Sequence, residues 1–182
     1  MKTMLVICLG LLCFLAAGCA TVPESSEAKG ALGTESQAAI SLFKAKDPTI
    51  DRFFTESYGY MVIPKIFKAA FIGGGAFGRG EVYEQGKMVG YCSMSQATVG
   101  FSIGGEYFRE IVFFKDITDL DTFKTEPITF SAQATAVAAS SGAAAKADYK
   151  AGMAVFILED KGLMIDASIG GQKFKYAPMS TQ

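Results

Sequence analysis

The sequence contains no histidine, tryptophan or asparagine among its 182 residues. Without histidine the chain lacks the usual general base near neutral pH and a common ligand of protein-bound zinc. Its 17 basic and 18 acidic side chains are mixed along the chain, so no basic surface for nucleic acid stands out. We therefore expect a protein that is not an enzyme, needs no cofactor or metal, and does not bind nucleic acid.

The longest apolar run lies at the N-terminus. Lys2 precedes a run from Met4 to Ala16, which is too short to span a bilayer but has the length of a signal-peptide core. The run ends in Leu15-Ala-Ala-Gly-Cys19, which resembles the bacterial lipobox. The resemblance implies a lipoprotein signal peptide at residues 1–18 and a mature chain that begins at Cys19, acylated with palmitate. The alternative is an ordinary signal peptide followed by an incidental cysteine.

The residues that follow the lipobox predict a location. Ala20, rather than aspartate, follows Cys19, which resembles the sorting signal of outer-membrane lipoproteins. We therefore expect a lipoprotein of the cell envelope, anchored in the outer membrane, whose domain faces the periplasm. Cys8 and Cys13 would leave with the signal peptide, so Cys92 remains alone in an oxidising compartment. With no histidine to activate it, Cys92 is predicted to be a buried core residue.

The chain then divides into a tether and one domain. Residues 19–33 are small, polar and charged, which predicts a flexible tether before a single domain at residues 34–182. The pattern Thr34-x-x-Gln37 predicts that a helix begins at Thr34, and Asp47-Pro48 predicts a second, short helix. Its apolar side consists of Ile50, Phe53 and Phe54. These side chains are predicted to pack on a sheet, with a membrane-facing patch as the alternative.

Five glycines lie between Phe71 and Gly80. Gly73, Gly75 and Gly78 fit the pattern G-x-G-x-x-G, but a dinucleotide site requires a helix immediately afterwards. Two short β runs around a Gln85-Gly-Lys turn follow instead. We interpret the stretch as a glycine-rich strand whose bare face marks a bend or the close approach of another backbone.

The remainder of the chain alternates with the period of two that is typical of strands. The predicted strands are Ser95–Tyr107, Tyr107–Phe114, Ile128–Ala145, and a hairpin of Ala151–Leu158 with Leu163–Gly171. The second of these is apolar on both faces, which predicts a central strand, whereas the alanines of the third would also suit a helix. Thr118-x-x-Asp121 predicts one short helix with Leu120 and Phe123 buried. The predicted fold is α+β: a mainly antiparallel, strongly curved or barrel-like sheet with two N-terminal helices and one short helix packed on it.

Four stretches in this order resemble the SYLF domain family. They are Ser57-Tyr-Gly-Tyr-Met-Val-Ile-Pro64, the glycine-rich strand, Glu106-Tyr-Phe-Arg-Glu-Ile-Val-Phe-Phe114 and Leu163-Met-Ile-Asp-Ala-Ser-Ile-Gly-Gly171. The resemblance covers roughly residues 35–176. It implies lipid binding, since eukaryotic members bind phosphoinositides, some bundle actin, and bacterial members are often exported lipoproteins. No SH3 or other appended domain is seen in this chain, so actin is not an expected partner and membrane phospholipid is.

The candidate lipid-binding residues are Lys65, Lys68 and Arg79. The two lysines flank Ile66 and Phe67, a basic and apolar mixture of the kind that meets anionic head groups; the alternative is a pair of solvated surface lysines. Two other functions stay open, namely a structural envelope protein without a specific ligand and an envelope enzyme that uses surface carboxylates. The carboxylates in question are Asp116, Asp119, Asp121, Glu159 and Asp160.

Overall fold

The structure, a computed structural model, describes residues 21–70, 73–99, 102–126, 129–130, 136–138, 142–159, 164–166 and 171–179. In these ranges the helices are α1 (Ser26–Lys46), α2 (Asp51–Glu56), α3 (Ile117–Thr125) and α4 (Ala143–Lys146), with a 3₁₀ turn (Pro48–Ile50) before α2. The strands are β1 (Gly59–Ala70), β2 (Gly73–Glu84), β3 (Lys87–Val99), β4 (Ser102–Phe114), β5 (Thr129–Phe130), β6 (Ala136–Ala138), β7 (Met153–Glu159), β8 (Met164–Asp166) and β9 (Gln172–Pro178). Among these helices none has both the length and the apolar composition to cross a membrane. The predicted signal peptide and Cys19 lie outside the described residues.

The strands form one mainly antiparallel sheet in the order β5-β9-β3-β2-β1-β4-β7-β6, and β8 also pairs with β4. Of the ladders in the described ranges, β6 with β7 is the parallel one. Within those ranges no ladder joins β5 to β6, so the sheet is open and does not close into a barrel. The predicted α+β fold with a curved antiparallel sheet is confirmed.

A side-chain contact shows how strongly the sheet curves. Gln172 Nε2 on β9 donates a hydrogen bond of 3.1 Å to Glu110 Oε2 on β4. Three strands lie between β9 and β4, and a flat sheet with strands about 4.8 Å apart would hold the two roughly 19 Å from each other. The sheet therefore wraps around the side chains of this face, which we call the inner face. The opposite side is the outer face.

Each face carries an apolar core. The inner core combines strand residues with α3, and its fully buried side chains include Met61, Met94, Phe114, Leu120 and Phe174. The outer core packs α1, α2 and α4 against the sheet, and its buried side chains include Ile40, Phe43, Phe53, Val62, Phe113 and Phe156. Ile50 and Phe53 of the second predicted helix are both buried in the outer core, as the packing interpretation requires.

Helix α1 begins at Ser26 rather than at Thr34. The Ser25 side chain caps it by accepting a hydrogen bond of 3.1 Å from the backbone N–H of Ala28. Leu32 is buried, so this part of the helix packs against the domain. The Thr34 hydroxyl donates to a carbonyl one turn earlier and caps no helix. The predicted flexible tether is therefore wrong for residues 26–33, because a serine cap and one buried leucine extend the helix through a polar segment.

The two short predicted helices are present. The first begins after Asp47, whose carboxylate accepts hydrogen bonds from the backbone N–H groups of Thr49 at 3.0 Å and Ala144 at 2.7 Å. Asp47 therefore caps the 3₁₀ turn and also holds the start of α4. Helix α3 has the predicted buried face, but its cap is Asp116 and not Thr118. The predicted pattern was two residues late, since aspartate is at least as good a cap as threonine.

The predicted single strand Ser95–Tyr107 is wrong. The chain leaves β3 at Val99 and enters β4 at Ser102, and β2 and β1 lie between these two strands in the sheet. Odd-numbered residues face outward in both β3 and β4. The alternation of the sequence therefore continues across the break between the two strands and does not reveal it. Gly104 and Gly105 form no bend, because they pair with Ala70 and Ala69 of β1. The predicted central strand is confirmed, since the side chains from Ile111 to Phe114 are fully buried.

The predicted hairpin of Ala151–Leu158 with Leu163–Gly171 is also wrong. β7 pairs with residues 108–114 of β4, and β8 pairs with residues 102–104 of the same strand. The two strands follow one another along one edge of β4, because that long edge offers both of them a partner. The predicted single strand Ile128–Ala145 is wrong, because β5 pairs with β9 at one end of the sheet, β6 pairs with β7 at the other end, and α4 begins at Ala143. Its described residues form β5, β6 and the start of α4, and the others lie outside the described ranges.

The glycine-rich stretch is a strand, as predicted, from Gly73 onward. A Cβ on Gly78 would lie 2.7 Å from Ile63 Cγ2 and Ile66 Cγ1 and 2.9 Å from the carbonyl oxygen of Lys65. The bare face of β2 therefore allows β1 to pack directly across it. Gln85 and Gly86 have positive φ angles of 47° and 77°, which matches a two-residue hairpin turn between β2 and β3.

Candidate functional site

A β-bulge in β1 decides where the candidate residues lie. The pairing of β1 with β2 shifts register between Val62 and Lys65, and its pairing with β4 shifts between Ile63 and Ile66. Pro64 sits within the shift, where its missing N–H interrupts no ladder. Before the bulge Ile63 faces the inner core, and after it Ile66 does. The bulge therefore reverses the parity of the strand and places Lys65 on the outer face.

Lys65 and Arg79 lie side by side on the outer face. They are directly paired across β1 and β2. The Lys65 ammonium is 4.8 Å from the centre of the Tyr107 ring, and the Arg79 guanidinium is 5.5 Å from the centre of the Phe77 ring. Both distances are within the range of cation–π attraction. The structure thus brings together two of the three predicted residues, each above an aromatic ring.

The rings form a row next to the cations. Phe67 pairs with Phe77 of β2 on one side and with Tyr107 of β4 on the other. The Phe67 and Tyr107 ring centres are 5.0 Å apart. Phe67 is nevertheless 47% exposed and Tyr107 42% exposed. Two neighbouring exposed aromatic side chains on a strand face are a feature of surfaces that bind a partner or a membrane.

A cleft lies between this part of the sheet and the N-terminal half of α1. Its volume is about 370 Å³. The N-terminal segment and α1 line one wall with Pro23, Leu32 and Glu35, and the sheet supplies the opposite wall with the two cations and the three rings. Glu35 is the acidic side chain on its lining. The cleft can therefore hold an elongated, partly apolar group with its negatively charged end at Lys65 and Arg79.

Lys68 does not belong to this site. It faces the inner side of the sheet and is only 4% exposed, so the predicted surface position is wrong. Its Nζ atom lies 3.5 Å from Glu106 Oε1, and the two residues are paired across β1 and β4. The wrong prediction for Lys68 is caused by the bulge at Pro64. If strict alternation is assumed along β1, residues after the bulge are assigned to the wrong face of the sheet.

The inner face also holds a buried acid. Glu110 is 1% exposed, and its contact with Gln172 leaves Glu110 Oε1 and Gln172 Oε1 without a partner among the described residues. Burial raises the pKa of the Glu110 carboxyl to about 8, and the hydrogen bond from Gln172 opposes this. Cys92 is fully buried nearby, as predicted, and burial raises the pKa of its thiol. The thiol therefore stays protonated and shielded.

The acidic residues that define the alternative enzyme have structural contacts. Asp116 and Asp119 form the capping box of α3, and Asp121 lies 3.6 Å from Lys124. Glu159 ends β7, and Asp160 lies outside the described residues. In the part of the chain that the structure describes, no three metal-ligating side chains come together. Among the described acids, Asp116, Asp119 and Asp121 lie on or beside α3, whereas Glu159 lies at the end of β7.

The sequence interpretation missed Phe77 and Tyr107 as members of the site and named Phe67 only as an apolar neighbour of the two lysines. A signal was present, because Phe77 and Arg79 are two residues apart on one strand and therefore share a face. Lys65 and Phe67 have the same spacing. This spacing of an aromatic residue and a cation, found on two neighbouring strands, would have indicated the cluster. It would have favoured Lys65 and Arg79 over Lys68.

The sequence was also compared with known proteins. The chain is similar to Beta cell expansion factor A of Aeromonas veronii. The two are 28% identical over 151 residues, which cover 82% of this chain. The chain spans 58% of the length of that protein. No protein-family model matches the sequence.

Proposed function

We propose that this protein is a membrane-anchored module of the SYLF type that binds anionic phospholipid through its outer face. The observation that carries the proposal is the pairing of Lys65 with Arg79 beside three aromatic rings, two of which are exposed. The resemblance of the sequence to SYLF domains supports the same class of ligand. Similarity to Beta cell expansion factor A over most of the chain is consistent with a shared domain.

The cluster has the chemistry of a membrane interface. Basic side chains near an anionic bilayer contribute roughly 1 kcal/mol each, and aromatic rings insert at head-group level. The rings also keep Lys65 and Arg79 within reach of a phosphate, since each cation rests on a ring. The cleft beside them offers an apolar wall for the start of an acyl chain. The head group of the phospholipid would thus contact the two cations, and its acyl chain would contact the apolar wall of the cleft.

Anchoring through Cys19 is the second part of the proposal. A diacylglycerol on its sulfur and an acyl group on its amine would hold the protein stably, since each buried CH₂ contributes about 0.8 kcal/mol. Loss of Lys2 with the signal peptide leaves 16 of the 17 basic residues against 18 acidic ones. Without the lipid, overall charge would therefore not hold the mature chain on an anionic membrane.

The anchor is tested with Cys19→Ser in the native host. We expect this variant to lose incorporation of labelled palmitate and to appear in the soluble periplasm or as unprocessed precursor. Wild-type protein with an unmodified N-terminus at Cys19, measured by mass spectrometry, would contradict the anchor. That result would not contradict phospholipid binding by the folded surface, which is tested separately.

The surface is tested with the mature chain carrying Cys19→Ser, produced without a signal peptide. Sedimentation with vesicles of phosphatidylglycerol and phosphatidylcholine should show binding that falls as salt rises. Lys65→Gln with Arg79→Gln should weaken it by about 2 kcal/mol, at roughly 1 kcal/mol for each charge. The control is Lys146→Gln with Lys150→Gln, which removes two exposed charges elsewhere. Equal binding by both double variants would contradict the site, and no binding by any protein would favour a structural role without a lipid ligand.

A further inference from the structure

The cleft between α1 and the sheet carries charges of both signs. In the part of the chain that the structure describes, its charged lining residues are Lys65, Arg79 and Glu35. Lys65 and Arg79 are directly paired across β1 and β2, and the Cβ atoms of such a pair lie about 5 Å apart, so both cations can act on one ligand. The cleft therefore has two cations and one carboxylate, a positive balance in a chain whose formal net charge is −1.

Glu35 reaches the cleft because of its position on α1. Four residues of this helix line the cleft, and their spacing of three and four residues places them along one side of the helix: Ala28, Ala31, Leu32 and Glu35. Leu32 is buried and Glu35 is exposed. The other three side chains are apolar, so Glu35 supplies the charge of the α1 wall, which stands opposite the two cations.

The carboxylate of Glu35 is not neutralised within the fold. Among the described residues it forms no ion pair. A head group whose charges are all negative would meet this carboxylate as a like charge, which lowers its affinity for the cleft. An ammonium on the ligand would instead pair with it. Glu35 therefore favours a ligand that carries a positive group beside its negative groups.

The rings of the cleft determine which kind of ammonium fits. Proteins bind quaternary ammonium groups such as choline over the faces of aromatic rings. Here Lys65 lies 4.8 Å from the centre of the Tyr107 ring, and Arg79 lies 5.5 Å from the centre of the Phe77 ring. Both rings already face a cation, which would repel a second positive group. A primary ammonium has three N–H donors and pairs directly with a carboxylate, so the arrangement favours a primary ammonium at Glu35.

We infer that the cleft is specific for an anionic phospholipid whose head group joins two negative groups to one primary ammonium, as in phosphatidylserine. Lys65 and Arg79 bind the phosphate and the carboxylate, and Glu35 binds the ammonium. The inference rests on the proposed function and adds the chemistry of the head group and the role of Glu35. Phosphatidylglycerol has no ammonium for Glu35, and phosphatidylethanolamine has one negative group for two cations. The volume of about 370 Å³ is within the range of sites that bind small ligands.

The head group is tested with the mature chain carrying Cys19→Ser and with phosphatidylcholine vesicles that contain equal fractions of either phosphatidylserine or phosphatidylglycerol. The two lipids have the same net charge, so the charge of the vesicle does not distinguish them. The chain should bind the phosphatidylserine vesicles about fivefold more tightly, the effect of one exposed ion pair. Glu35→Gln should remove this preference. Equal binding of both vesicles would overturn the inference, and the proposed function would stand if Lys65→Gln with Arg79→Gln still weakened binding.

The matched control is Glu27→Gln, which removes one exposed carboxylate from the same helix, outside the lining of the cleft. It changes the net charge of the protein by the same amount and should keep the preference for phosphatidylserine. Loss of the preference in both variants, or its persistence in Glu35→Gln, would overturn the inference. Absence of binding to either kind of vesicle would overturn both the inference and the proposed function.

A soluble competitor distinguishes a membrane lipid from a free metabolite with the same head group. Glycerophosphoserine should displace phosphatidylserine vesicles only at concentrations well above that of the accessible lipid, because the apolar wall of the cleft contributes to binding the acyl chain. Glycerophosphoglycerol should compete less well than glycerophosphoserine. Displacement by glycerophosphoserine at concentrations equal to or below that of the lipid would overturn the assignment of the ligand as a membrane lipid.

Discussion

Lys65 and Lys68 lie three residues apart on one strand but in opposite environments. Lys65 is exposed on the outer face with its ammonium over the Tyr107 ring. Lys68 is buried on the inner face beside Glu106. The two faces of the curved sheet therefore use the same residue type differently. On the inner face the charge of Lys68 is used in a contact within the fold, whereas on the outer face Lys65 is exposed beside an aromatic ring.

The largest expected difference between the faces concerns these two lysines. Lys68→Met removes one partner of a buried ion pair, a change that costs roughly 3–5 kcal/mol when the remaining charge is fully buried. Glu106 keeps 19% of its side-chain exposure, so the loss should lie at the lower end of that range. Lys65→Met should change the free energy of unfolding by no more than about 0.5 kcal/mol. Urea denaturation measures the free energy of unfolding of both variants. Equal losses of stability in Lys68→Met and Lys65→Met would contradict the distinction between the two faces.

A smaller difference is expected for glycines. Gly78→Val should destabilise the protein by roughly 1–3 kcal/mol, because the added carbons meet Ile63, Ile66 and the Lys65 carbonyl on the inner side. The matched change is Gly30→Ala in α1, where no atom lies within 4 Å of the added Cβ. It should stabilise the protein by about 0.5–1 kcal/mol, the usual gain in helix propensity. Unaltered thermal unfolding of Gly78→Val would show that β1 does not pack across β2.

The third expected difference is a gradual dependence of the free energy of unfolding on pH, which comes from the buried acid of the inner face. The pKa of Glu110 is about 8 in the folded protein against an ordinary value of 4.5, so folding favours its protonated form. This contribution is fully present below pH 4.5 and is lost as the pH rises through about 8, by at most about 1.4 kcal/mol per pH unit. Glu110→Gln should remove that slope from the unfolding midpoints. An equally steep slope in Glu110→Gln would assign the dependence to another group.

Local signals explain what could be predicted from the sequence. The glycine-rich strand was recognisable because no helix follows it, and the Gln85-Gly86 turn because its chemistry is contained in a few residues. Asp47 marked a helix start for the same reason. In each of these cases the determining interactions lie close together in the chain.

The wrong predictions concern features that depend on pairing between strands that are far apart in the sequence. Lys68 was assigned to the surface because the bulge at Pro64 is defined only by the strands on either side of β1. The hairpin of β7 and β8 failed because both strands found a partner in β4. The start of α1 was missed because Leu32 becomes apolar core only when the sheet is present. The cluster of Lys65 and Arg79 with three rings likewise requires the register of three strands.

The Thr21 hydroxyl lies 3.0 Å from the hydroxyl of Ser93, which pairs with Arg79, and this contact has a consequence for how tightly the candidate site must bind phospholipid. In an acylated protein, the lipid on Cys19 and the cluster of Lys65 and Arg79 would be two binding groups joined by a short connection. Once the lipid is inserted, so short a connection holds the second group at an effective concentration in the millimolar range or above. A surface with only millimolar affinity for phospholipid would then be occupied about half of the time. In such a protein, weak binding by the cluster of Lys65 and Arg79 would be sufficient to keep the domain at the membrane surface, and the domain could still lift away briefly.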